Sequence, residues 1–165
     1  MSVEQSAPTV ANGKIKIGAV AKHFGISVDL LRLYEREGLI IPIKSSKGTR
    51  YFMEKDYEWI GTLLHLVRDA RLNFAGIRHL LALLPCWQIQ GCGFEKDRSC
   101  PVTVDGAAPC WTNRECCKSQ IQCYDCAVYR SAPACQNLKA LLVKSAGLPR
   151  KTMASTTLGV AAGND

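Results

Sequence analysis

Apolar residues recur at helical spacing through the first half of the chain and lose that rhythm in the second. Ile17, Val20, Ala21 and Phe24 mark one face of a first helix, and Gly25 follows where a left-handed residue ends it without steric cost. Ser27 is placed to cap a second helix running from Val28 to about Glu37, with Leu30, Leu31 and Tyr34 inward and Arg32, Glu35 and Arg36 outward. Gly38 stops it, and Pro42 prevents its resumption. The run from Ile43 to Phe52 reads as a hairpin with Gly48 in its polar turn. A third helix is predicted from near Glu54, with Ile60, Leu63, Leu64 and Val67 as its stripe, ending near Arg71-Leu72-Asn73. A fourth runs from about Phe74 to Leu84 and is stopped by Pro85. Residues 137–145 read as a short last helix, and residues 1–13 and 146–165 as a disordered lead and tail.

Two helices around a tight glycine turn make a helix-turn-helix, whose second helix suits the major groove of DNA. The basic hairpin after it serves as a wing, with Lys44, Lys47 and Arg50 facing phosphates. Charge agrees. The net charge is +7, and residues 14–80 hold twelve Lys and Arg against seven Asp and Glu. A basic balance favours anionic partners, nucleic acid first.

Residues 15–52 resemble the MerR family of transcription regulators. The resemblance rests on the run from Leu31 to Leu39 (LRLYEREGL), Pro42, Gly48 and Arg50-Tyr51-Phe52, and continues in residues 71–81. Asn73 stands where that family usually has glycine, and asparagine tolerates the left-handed conformation expected there. The resemblance implies double-stranded promoter DNA as partner, bound by a homodimer that distorts an over-long spacer so that RNA polymerase can engage. Ser27, Arg32, Tyr34 and Arg36 on the recognition helix, with Lys44, Lys47, Arg50 and Tyr51 on the wing, are the candidate DNA-binding residues. Tyr34 fits core packing equally well, and Arg36 fits a solvated helix face. The long dimerisation helix of the family is ruled out after residue 84 by Pro85, Gly91, Gly93, Pro101, Gly106 and Pro109.

The nine cysteines all lie between Cys86 and Cys135. Cys86-Trp87 recurs as Cys110-Trp111, and the order through Cys126 resembles a small bacterial module named for two Cys-Trp pairs, which has no settled biochemical role. A stretch this poor in Leu, Ile and Val calls for a staple. Cys86, Cys92, Cys100, Cys110, Cys116, Cys123 and Cys126 are the candidate metal ligands, with Cys117 and Cys135 supernumerary. Only Cys123 and Cys126 have zinc-like spacing, whereas an iron–sulfur cluster accepts wider gaps. Disulfide switching and soft-metal binding remain further alternatives. Trp87 and Trp111 read as shields of the stapled site. His23, His65 and His79 form no ligand-spaced pair.

The expected fold is therefore mainly α: a winged helix-turn-helix DNA-binding domain at 14–84, then an irregular cysteine-rich region at 85–136 stapled by metal or cluster. The expected function is a cytoplasmic transcription regulator responding to redox state or metal. In the alternative, the cysteine region is a purely structural zinc staple or protein-interaction module. An enzyme is not expected. The Cys123-Tyr124-Asp125-Cys126 motif has no βαβ setting for a thiol–disulfide oxidoreductase. No paired catalytic carboxylates or phosphate loop accompany it.

Overall fold

The computed structural model describes residues 13–91, 100, 108–113, 117 and 121–145. The expectations for residues 1–12, Cys92, Cys116 and 146–165 fall outside the described residues. The chain opens with β1 (Lys14–Lys16) and α1 (Ile17–His23), followed by α2 (Val28–Arg36). Strands β2 (Ile43–Lys44) and β3 (Arg50–Met53) precede α3 (Asp56–Arg68) and α4 (Phe74–Ala82). Helix α5 (Cys86–Gln90) follows. Short 3-10 turns then occupy Cys110–Thr112, Cys123–Asp125 and Ala132–Asn137, with α6 (Ala127–Arg130) and α7 (Leu138–Ser145) among them.

The helix-turn-helix forms as the pattern predicts. Gly25 is left-handed, with φ 61°, and lets Ile26 N donate back to Ala21 O at 3.0 Å. Ser27 Oγ accepts from Leu30 N at 3.1 Å and so satisfies one of the open donors of α2. Leu31 and Tyr34 are buried on its inner face. The sheet has one strand more than expected: β1 pairs antiparallel with β3, giving the order β1-β3-β2. Three residues are too few to show a period-2 signal, and β3 supplies the pairing that makes Lys14–Lys16 a strand.

The turn before α4 corrects one expectation. Asn73 is not left-handed: its φ is −79°, and its side chain caps α4 by accepting from Gly76 N at 2.7 Å. The left-handed residue is Arg71, with φ 55°. Asparagine suits either role, and the cap, which satisfies an otherwise open helix donor, is the one adopted here.

The described part of the cysteine-rich half packs into the core of the first half. Trp111, Cys126, Val128, Tyr129, Ala132 and Cys135 belong to the same buried cluster as Leu39, Ile60, Leu63 and Leu84. A segment with few aliphatic residues of its own thus gains a core by docking on α3 and on the chain after α2. Trp111 Nε1 donates to Gly38 O at 2.8 Å, and Ile41 N donates to Tyr129 Oη at 3.0 Å. Trp111 and Tyr129 meet edge to face, with centroids 5.3 Å apart. From below, Trp59 Nε1 donates to Leu39 O at 2.8 Å. Arg130 pairs with Asp56, a carboxylate only 2 % exposed that also accepts from Met53 N at 2.7 Å and so starts α3 two residues after the expected Glu54.

Gly38 is left-handed, with φ 70°, and a Cβ there would lie 2.7 Å from Thr112 Cγ2. Gly38→Ala should lower stability by about 1–2 kcal/mol from the backbone alone, with the clash in addition. In urea titrations, adding Thr112→Ala should recover the second part and leave the first; strict additivity of the two changes would refute the contact. Tyr129→Phe keeps the ring and removes one hydrogen bond, and Trp111→Phe removes one hydrogen bond together with part of the indole packing. Each should cost about 1–3 kcal/mol, and an unchanged urea midpoint would show that the bonds contribute nothing.

Candidate nucleic-acid interface and thiol cluster

The outer face of α2 presents Asp29, Arg32 and Arg36 to solvent. Arg32 Nη1 lies 3.2 Å from Asp29 Oδ1, in a pair whose side chains are 51 % and 86 % exposed. Such an exposed pair holds little energy, so Arg32 can leave it for another anion. Ser27 is exposed at the start of the same helix. Its cap uses an oxygen lone pair, which leaves the hydroxyl proton available to a second acceptor.

The wing is built by its turn. Ser45 N donates to Thr49 O and Gly48 N to Ser45 O, both at 2.9 Å, and Thr49 N donates to Ser45 Oγ at 3.1 Å. Lys47 stands exposed at the tip, and Tyr51 is half-buried on β3 opposite Ile43 and Lys16. Tyr34, the eighth candidate, is withdrawn from the surface. It is 1 % exposed and meets Phe74 edge-on with centroids 5.7 Å apart, so it serves the core.

Glu35 was not singled out by the sequence, because an acid between Arg32 and Arg36 reads as part of a solvated face. It joins helix to wing. Lys44 Nζ sits 2.7 Å from one carboxylate oxygen, and Arg50 Nε pairs with the other. Burial pushes the carboxyl pKa up, but hydrogen bonds and charge from Arg50 and Lys44 outweigh it, and the net shift is downward. The charged carboxylate therefore holds both wing cations against the recognition helix. At the end of α2, Glu37 pairs with Arg78 of α4.

The fold brings part of the cysteine set together. Cys86 at the start of α5 and Cys110 share a side-chain hydrogen bond, and Cys126 and Cys117 are near enough to act on Cys110 electrostatically. The contact with Cys86 is the largest cause pushing the Cys110 thiol far up, followed by burial and the neighbouring sulfurs. Cys126 Sγ donates to Gln90 Oε1 at 3.4 Å. Cys135, expected to be supernumerary, is a core residue whose thiol is pushed up to about 11 by burial. Cys110, Cys117, Cys123, Cys126 and Cys135 are thiols outside any disulfide. Among the described residues no group of three or more His, Cys, Asp or Glu side chains could hold a metal ion. Cys123 faces a different surface, a groove beside Trp111 and Tyr124. Each histidine has a neighbour: His65 pairs with Asp69, His79 bonds Ala75 O, and His23 meets Phe24 edge-on and Tyr57 at a tilt. No helix among the described residues is long and apolar enough to cross a membrane.

A family model described as MerR HTH family regulatory protein matches residues 15–84. The HTH-type transcriptional regulator AdhR of Bacillus subtilis (strain 168) is 39 % identical over 64 residues, covering 38 % of this chain and 45 % of the relative. The HTH-type transcriptional regulator ZntR homolog of Haemophilus influenzae (strain ATCC 51907 / DSM 11121 / KW20 / Rd) is 34 % identical over 70 residues, covering 42 % and 51 %. The chain thus spans about half the length of these curated relatives. No solved structure gives a significant match. With the helix-turn-helix, the wing and the following helices all in place, residues 15–84 have the order of elements expected of the MerR HTH family regulatory proteins whose model they match.

Proposed function

We propose that the chain is a sequence-specific regulator of transcription that binds promoter DNA through α2 and the wing and responds to redox state through its cysteine-rich segment. The observation that carries the first part is the set of exposed cations, Arg32 and Arg36 on α2 and Lys47 on the wing, with Lys44 of the wing held to α2 by Glu35. In this reading α2 lies in the major groove, with Arg32 at base edges, and the wing rests on the backbone. Arg50 and Lys44 exchange Glu35 for phosphate oxygens. Ser27 contributes its hydroxyl to the backbone, and Tyr51 the half-buried ring that supports Arg50. The protein acts as a homodimer on a two-fold operator and hands distorted DNA to RNA polymerase, as its family resemblance suggests.

The contact between Cys86 and Cys110 supports the second part. A peroxide would take two electrons and two protons from the two thiols, forming one S–S bond and two water molecules from each hydrogen peroxide. Cys110 is bonded to Trp111, whose ring holds Gly38 at the end of the recognition helix, so this change is made next to the DNA-binding unit. An iron–sulfur cluster or zinc at these cysteines is the alternative. Among the described residues no three His, Cys, Asp or Glu side chains form a ligand group, and two of the candidate ligands, Cys92 and Cys116, lie outside those residues.

Duplexes selected from a random-sequence pool supply the probe DNA. Arg32→Ala and Arg50→Ala should each weaken binding by roughly tenfold and make its salt dependence shallower, by about one unit of slope where a phosphate contact is lost. Full affinity in both variants would remove α2 and the wing from the interface. Peroxide treatment of anaerobically purified protein should give a Cys86–Cys110 crosslinked peptide and a several-fold change in DNA affinity, reversed by dithiothreitol. Both effects should be absent in Cys86→Ser. Stoichiometric iron with sulfide, or zinc, in that preparation, together with redox-insensitive binding, would replace the disulfide reading with a metal one.

A further inference from the structure

A groove of about 610 Å³ lies between the end of α2, the chain leading into β2, and the cysteine-rich segment. That volume is within the range of small-molecule sites, roughly 300–1,000 Å³. Its rim shares Arg36 and Lys44 with the proposed DNA-facing surface, whereas Trp111, Gln122 and Tyr124 have no part in that surface or in the Cys86–Cys110 pair. Its two sides come from the two halves of the chain, 71 residues apart in sequence where Ile40 faces Trp111.

The chemistry of the lining is divided. Ile40, Pro42 and Trp111 are buried and present an apolar floor. Tyr124, half-buried, adds an aromatic wall. The rim is cationic, with Arg36 exposed and Lys44 55 % exposed. The single carboxylate of the lining, Glu35, is already committed to Lys44 and Arg50. Arg36 enters no ion pair among the described residues and carries the uncompensated charge. An apolar floor with a cation at its edge complements a molecule with a flat apolar body and one negative charge.

We propose that this groove is a binding site for a small aromatic carboxylate, its ring on Trp111 and Tyr124 and its carboxylate on Arg36. Because Gly38 and Ile41 also line the groove, the occupant touches the connection between recognition helix and wing. A ligand there acts on DNA binding to the extent that it favours one arrangement of that connection.

Calorimetric titration of the full chain with naphthalene-2-carboxylate, and with naphthalene-2-carboxamide as its uncharged counterpart, tests the assignment. One-to-one saturable binding is expected, with the carboxylate roughly tenfold tighter than the amide. Tyr124→Ala and Gln122→Phe, the latter filling the groove from an exposed position, should each weaken the carboxylate at least tenfold while leaving the urea midpoint in place. Arg36→Gln should bring carboxylate and amide to equal affinity. The proposal is overturned by the absence of saturable heat at millimolar ligand, by equal affinity of wild-type protein for the two compounds, or by unchanged affinity in the folded groove variants.

Discussion

The backbone between Gly38 and Ile41 is held by three aromatic side chains, and the two halves of the chain are joined through it. Trp59 reaches Leu39 O from α3, whereas Trp111 reaches Gly38 O and Tyr129 takes Ile41 N from the cysteine-rich segment. These peptide groups sit where α2 has ended and the wing has not begun, so neither helix nor sheet satisfies them. Buried polar groups in that position need partners, and indole N–H and phenol O–H groups supply them while filling apolar space with their rings. Loss of a ring would leave both a cavity and an orphaned carbonyl or amide. The relative placement of recognition helix and wing therefore depends on residues 70 to 90 positions further along the chain.

Most of the N-terminal domain is legible in the sequence because its signals are local. Gly25, Ser27, Gly38 and Pro42 punctuate α2 within a few residues, and Leu31 with Tyr34 marks its inner face. The features that escape are non-local or ambiguous. Strand β1 exists only through its pairing with β3. Asn73 fits a cap and a left-handed turn alike, and the left-handed conformation falls to Arg71, a residue no turn rule selects. Tyr34 fits DNA or core, and its edge-on packing on Phe74 decides for the core. Glu35 is one acid among several until the hairpin folds back and sets Lys44 and Arg50 on it.

In the second half the shortage of aliphatic residues is legible in the sequence, but the shared core that the segment joins is not. The case for a staple counts only the segment's own aliphatic residues. Trp111, Val128, Tyr129 and Ala132 instead complete a core whose other members lie in α3, in α4 and around Leu39. Spacing alone does not reveal that Cys86 and Cys110, the two Cys-Trp positions, meet, whereas Cys123 turns to a separate groove. The repeat is visible as a pattern, and its meaning as a contact comes only with the fold.

The ion pair between Arg130 and Asp56 bears on where this chain can be divided. Family likeness ends at residue 84, which invites treating residues 15–84 as a self-sufficient unit. Asp56 begins α3 inside that unit, yet its cation lies 74 residues later, and only 2 % of Asp56 is exposed. A nascent chain that has released just the recognisable domain would carry an uncompensated carboxylate at the foot of α3 and an apolar face awaiting Trp111 and Tyr129. Synthesis thus runs through a stage in which the helix-turn-helix part is present but unfinished, and its completion waits on the cysteine-bearing residues that follow.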